Sequence, residues 1–106
     1  MQESAQKFHR RSRRIRISQP VRVIPSIPRG ELFAEIATTV NVSREGFYFL
    51  TERQQYEVGM RGVVTLPYHS PRAPSDRVYL AQVVRVELLE NGQRGIAIRL
   101  LSPIAG

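Results

Sequence analysis

Apolar residues in this chain recur at every second position over short runs, and the runs are separated by proline, glycine or an Asn-Gly pair. That rhythm suits half-buried strands, whose successive side chains point to opposite faces. A helix would need apolar positions three and four apart, sustained along an amphipathic stretch, and no long stretch of that kind is present. The longest run, 32–43, alternates Leu32, Ala34, Ile36, Thr38, Val40 and Val42 with Phe33, Glu35, Ala37, Thr39, Asn41 and Ser43. On apolarity the first set is the expected buried face, which leaves Asn41 and Ser43 together on the polar side at the strand's end.

The other runs follow the same logic. Pro20 to Ile24 reads as a strand with Val21 and Val23 facing in, ended by Pro25 and by Pro28-Arg29-Gly30, because proline cannot donate to a ladder. Arg44-Glu45-Gly46 turns the chain into Phe47-Tyr48-Phe49-Leu50, an aromatic strand. Residues 51–60 are polar and fit at most one helical turn, ending at Gly59. A strand over 61–67 leads into a proline-bearing loop over 68–77, expected to be long and flexible. Two final runs, 78–88 and 95–101, flank Asn91-Gly92, a strong hairpin signal that predicts a type I′ turn with positive φ at both residues. Val83 and Val84 are adjacent and both apolar, so a bulge is expected there. Five or six short strands, regular turn signals and no long amphipathic helix predict an all-β fold, an antiparallel barrel or sandwich; of the two a small barrel is expected, since closure removes the edges that invite aggregation.

With 106 residues and 42% hydrophobic content the chain makes one folded domain with a modest core. The absence of cysteine removes disulfides, thiolate nucleophiles and sulfur-bound zinc. No apolar run reaches the roughly 20 residues of a spanning helix, and the basic start is not followed by an apolar signal region, so the expectation is a soluble, cytoplasmic protein with no membrane insertion.

Charge is concentrated at the start. Lys7, Arg10, Arg11, Arg13, Arg14 and Arg16 face a single acid, Glu3, so residues 1–16 carry five of the seven net positive charges. All basic residues except Lys7 are arginine, whose planar guanidinium forks onto acceptor pairs and stacks on flat rings. Such a run belongs in solvent or against something anionic. From Arg14 the pattern alternates, with Ile15 and Ile17 opposite Arg14, Arg16 and Ser18, so the arginines run directly into folded structure. The expected organisation is a flexible arm over 1–9 and a barrel domain over 10–106.

Enzyme chemistry finds little support. The two histidines, His9 and His69, fall in the arm and the loop with no carboxylate spaced to orient them. No cluster of metal donors and no Gly-rich phosphate loop are evident. No cofactor is expected.

What stands out is Arg10-x-x-x-Arg14 together with Asn41-x-Ser43-x-x-Gly46, in that order and about 30 residues apart in a small β domain. These resemble the two signature motifs of the PilZ domain family, and the resemblance spans about residues 8–102. It implies a six-stranded barrel that binds cyclic di-GMP under an arginine-bearing arm. Arg10, Arg11, Arg14, Asn41, Ser43 and Gly46 are then the expected ligand-binding residues. The ligand's chemistry agrees: guanine offers an O6/N7 acceptor pair to one guanidinium, and arginine planes stack on purines. On this resemblance Gly46 lets backbone approach the ligand closely.

Two features depart from the family pattern. Asn41 stands where many members carry Asp, so an amide oxygen replaces a charged acceptor. The usual C-terminal helix over one barrel end has no counterpart before Gly106, so Ile104 and neighbouring strand ends are expected to be covered by the N-terminal segment or, in a homodimer, by a second subunit. A downstream partner protein is implied but not identified. Two competing readings are a single-stranded nucleic-acid binder stacking bases on Phe47, Tyr48 or Phe49, and an adaptor that has lost nucleotide binding. The first is disfavoured because those aromatics suit a core, and the second because both motifs are intact.

Overall fold

The structure is a computed structural model that describes residue 16 and residues 18–26, 33–69 and 77–104. The arm expected over 1–9, the loop tip over 70–76 and Arg10, Arg11 and Arg14 lie outside the described residues. Six strands are present, β1 (Pro20–Pro25), β2 (Glu35–Val42), β3 (Gly46–Thr51), β4 (Arg61–Thr65), β5 (Val78–Leu88) and β6 (Arg94–Pro103), and no helix occurs among the described residues. They close into an antiparallel barrel in the order β1-β2-β3-β6-β5-β4, with β4 pairing back onto β1. Every strand therefore has two partners and no ladder is left open, as the period-two pattern and the small size predict.

The core is built from alternate residues of all six strands. Val21 and Val23 of β1 face in, with Phe47 and Phe49 of β3, Val64 of β4, Ala81 and Val83 of β5, and Ile96 and Ile98 of β6. β2 departs from the sequence expectation. Ile36, assigned to the buried face, is 63% exposed and Val40 is also exposed, whereas Thr39 is only 2% exposed and Phe33 and Ala37 pack against the core. Two observations account for the reversal. The polar members of the inward set are satisfied there: Glu35 accepts bonds from Thr51 Oγ1 and Tyr56 Oη, both at 2.6 Å, and Thr39 Oγ1 accepts from the Gln19 amide at 3.0 Å. A buried polar group that keeps its hydrogen bonds costs little. The second is a register shift between Thr39 and Asn41, which makes Val40 the extra residue and turns Val42 inward opposite Phe47.

The bulge expected in β5 is also present. Val83 pairs with Ile98 and Arg85 with Ala97, so Val84 is the unpaired extra residue, 44% exposed where Val83 is 3% exposed. The β5–β6 hairpin is present but its turn is not type I′. Gly92 has φ +85° while Asn91 keeps a negative φ. The Leu89 amide bonds the Gln93 carbonyl at 2.9 Å and the Gly92 amide bonds the Leu89 carbonyl at 3.2 Å, closing a three-residue Glu90-Asn91-Gly92 loop with glycine at the left-handed position. The Asn91 side chain is used elsewhere, accepting from the Gln93 amide at 3.0 Å.

Because β3 and β4 are not neighbours, residues 52–60 must cross one end of the barrel. They do so without a helical turn and carry Tyr56 into the core, where it is 1% exposed. Its ring meets Phe49 and Phe33 edge-on, each with centroids 5.7 Å apart, and Arg53 lies over Phe33 at 4.1 Å. Tyr56 thus plugs this end while its hydroxyl holds Glu35. Burial, and then the bond to Glu35 and its charge, push the Tyr56 hydroxyl far above its ordinary pKa.

Gly46 opens β3 where that strand runs close against β6. A Cβ there would overlap the Ile98 carbonyl oxygen, so glycine is required by packing within the barrel.

Two outcomes follow. Gly46→Ala should lower stability by roughly 2 kcal/mol or more, because the overlap is with backbone that cannot rotate away; chemical denaturation checks this. For Tyr56 the folded state holds the phenolic proton more tightly than the unfolded chain. Its contribution is therefore complete below pH 10.0, the ordinary tyrosine value, and is lost as pH rises above it. Tyr56→Phe should remove that alkaline slope in the pH dependence of unfolding and cost about 1–3 kcal/mol at neutral pH by leaving Glu35 one partner short.

Candidate functional site

The Asn41-x-Ser43-x-x-Gly46 segment forms the end of β2 and its turn into β3. The shift after Thr39 sends Val42 into the core and leaves Asn41 and Ser43 on the outer side, both half-buried. Asn41 pairs across the ladder with Tyr48, another outward residue. The polar pair was expected on this side from simple alternation; the bulge is what places it there.

Ser43 closes the turn. Its amide bonds the Gly46 carbonyl at 2.8 Å, and its hydroxyl accepts from the Glu45 amide at 3.2 Å and lies 3.4 Å from the Gly46 carbonyl. A serine bonding the amide two residues on is a standard way to fix a turn, and it leaves part of the hydroxyl's capacity for another partner. Arg44 and Glu45 at the tip are exposed, and the Glu45 carbonyl is tied to the Leu100 amide at 2.8 Å.

The arginine-bearing segment joins the barrel at this same place. Gln19 docks on Thr39, two residues before Asn41, through the bond to Thr39 Oγ1 and through the Thr39 amide to its own carbonyl at 2.9 Å. Ser18 and Arg16, upstream of it, are exposed. The described structure therefore brings together Asn41, Ser43, Gly46 and the entry of the arginine run.

Several neighbours carried no motif signal. Arg99 pairs with Gly46 and is exposed. Arg85 and Glu87 of β5 lie on the same outer face: Tyr48 pairs with Ala97, Ala97 with Arg85, and Gly95 with Glu87. Tyr48 donates to Glu87 Oε1 at 2.6 Å, and partial burial together with that bond and the Glu87 charge raises the pKa of its hydroxyl. Only strand pairing could have revealed these residues, since 37 or more positions separate Tyr48 from Arg85 and Glu87 in sequence. Phe47 and Phe49, by contrast, are fully buried and cannot stack on a base.

Further along β2 and β3, an open groove on the outer surface is lined by Glu35, Ile36, Thr38, Leu50, Glu52 and Arg53. Its two carboxylates, Glu35 and Glu52, outnumber its one guanidinium, Arg53, which is already paired with Glu35 at 3.8 Å, and this suits a dianionic ligand poorly. Among the described residues no group of three or more His, Asp or Glu could hold a metal ion, and no helix is long and apolar enough to cross a membrane.

No curated protein matches the chain significantly in sequence. The structure is similar to that of the Bacillus subtilis inhibitor of motility MotI/DgrA, with a TM-score of 0.68 at 14% sequence identity, covering 92% of this chain. The chain spans 44% of that protein's length, and at this identity the likeness concerns the fold. The model of the PilZ domain matches residues 8–105. With both sequence motifs inside that span and the Asn-x-Ser-x-x-Gly segment set at the end of a closed six-stranded barrel, the chain belongs to the PilZ domain family, a family of cyclic di-GMP receptors.

Proposed function

We propose that this protein is a non-catalytic receptor for cyclic di-GMP, which binds on the outer face of the barrel at the β2–β3 turn. The observation that carries the reading is the juxtaposition of Asn41 and Ser43 with the point where the arginine run enters the barrel, held by the Gln19–Thr39 bonds. Arg10, Arg11 and Arg14 supply charge for the two phosphates and forks for the guanine O6/N7 edges. Asn41 offers its amide to a guanine edge, and the Ser43 hydroxyl turns its proton from the long 3.4 Å bond with the Gly46 carbonyl to donate to a phosphate. Gly46 serves by letting β3 and β6 close, which fixes the turn that presents the other two.

Signalling in this reading comes from the arm. Mutual repulsion keeps five arginines apart until a ligand with two phosphates and two purine edges gathers them. Ordering the arm costs roughly 1 kcal/mol or more per residue, which the charged contacts must exceed, and the ordered arm is a new surface for a downstream partner protein. Self-association over the exposed Leu101 and Ile104 belongs to the same proposal. The nucleic-acid alternative loses two of its three stacking platforms, Phe47 and Phe49, to the core.

Calorimetric titration with cyclic di-GMP should give saturable binding, with GTP and a single-stranded oligonucleotide far weaker. Arg10→Ala or Arg14→Ala should weaken binding by about 1.5–3 kcal/mol without changing the unfolding midpoint, and Arg→Lys should do nearly as much harm. Full affinity in both alanine variants contradicts the assignment. Amide exchange over 8–16 should slow on adding the ligand while 95–101 changes little, and an arm equally protected with and without ligand contradicts the switch.

A further inference from the structure

We propose that Tyr48, Arg85 and Glu87, with Gly95 and Ala97 beneath them, form a guanine-binding shelf that extends the ligand site across β3, β6 and β5. The inference rests on the receptor reading above and names residues that neither motif contains. Its basis is an arrangement on the outer face that barrel packing does not require.

Side chains on an outer sheet face normally stand side by side in solvent, but here β6 contributes almost none. Gly95 and Ala97 are its outward residues in this region, and Tyr48 lies down across them, so that a Cβ on Gly95 would overlap the Tyr48 hydroxyl. The result is a flat floor. Arg85 and Glu87 rise from β5 along its far edge and are held by one network: Glu87 Oε1 accepts from Tyr48 at 2.6 Å, Glu87 Oε2 forms an ion pair with Arg85 Nε at 3.0 Å, and the Arg85 guanidinium lies over the Tyr48 ring, 5.9 Å from its centre. Three contacts fix side chains that remain open, with Arg85 56% and Glu87 42% exposed. A lone exposed ion pair contributes little to stability, so this degree of ordering calls for another use.

The groups so fixed match one base. A guanidinium and a tyrosine ring give a purine two flat surfaces to stack on. A carboxylate accepts from the adjacent N1–H and N2–H2 donors of guanine, a pair adenine does not present. Glu87 has lone pairs left on both oxygens for that purpose, and Arg85 keeps its terminal nitrogens after using Nε. The shelf also lies on the ladder that carries the motif: Asn41 pairs with Tyr48, Tyr48 with Ala97, and Ala97 with Arg85. Three inter-strand steps of about 4.8 Å separate Asn41 from Arg85, a span that a ligand with two guanines can bridge. One guanine then lies at Asn41 under the arm and the other on the shelf.

The test uses the full chain with cyclic di-GMP and cyclic di-AMP, which differ only in the base. Wild type should prefer the guanine ligand. Glu87→Gln should weaken cyclic di-GMP binding roughly tenfold or more while leaving cyclic di-AMP binding unchanged, and Arg85→Ala should weaken cyclic di-GMP binding to a similar extent. Because a variant could lose affinity through altered folding, a second readout is made on wild type: the Arg85 Nε–H and Gly95 amide NMR signals should shift in step with those of Asn41 and Ser43 as ligand is added. If wild type binds while both variants stay within about twofold of it, or if only the Asn41 and Ser43 signals move, the shelf is wrong and the receptor reading stands. If wild type does not bind cyclic di-GMP, both fall.

Discussion

A single extra residue in β2 decides what this barrel can present. Upstream of it the strand buries Phe33, Ala37 and Thr39; downstream it buries Val42. Without the shift between Thr39 and Asn41, the strand's parity would carry Asn41 into the core side and leave Val42 outside. The bulge reverses the faces at the end of the strand, where the residues proposed to bind ligand begin, a position where bulges commonly re-aim side chains. The Gln19–Thr39 bonds sit immediately before it, so the same locality anchors the arginine-bearing segment. Scaffold and site meet over three residues.

Closure of the ladder is what makes that device dependable. In a barrel each strand is held from both sides, so a bulge bends the wall without freeing an edge. Closure also forces 52–60 across the barrel end and supplies Tyr56 as the plug, whose hydroxyl makes an inward Glu35 tolerable. Gly46 has a similar standing. It belongs to a motif associated with ligand binding, and the space a Cβ would take is filled by β6 backbone, beside the turn that Ser43 closes.

The sequence made much of the fold legible and part of the site. Val21 and Val23 lie inward as alternation requires, and the Val83-Val84 doublet marks a bulge because two adjacent apolar residues cannot share a face. β2 misled for a physical reason: apolarity identifies a buried face only when inward polar groups lack partners, and the partners of Glu35 and Thr39 come from residues 16 or more positions away. Tyr56 was hidden in a polar stretch because its burial depends on which strands are neighbours. Asn91 tolerates positive φ but was not asked to adopt it, since the loop gained one residue and passed that role to Gly92. Tyr48, Arg85 and Glu87 form a cluster only after three strands are placed side by side.

A crystal structure with cyclic di-GMP bound tests most directly where the cyclic dinucleotide sits on the barrel. It should show the ligand on the outer face of β2, β3 and β6, with Asn41 and Ser43 within hydrogen-bond reach and Arg10 and Arg14 closed over it. A ligand seated instead in the groove between Ile36 and Leu50, or one that leaves Asn41 and Ser43 without a contact, would contradict the account.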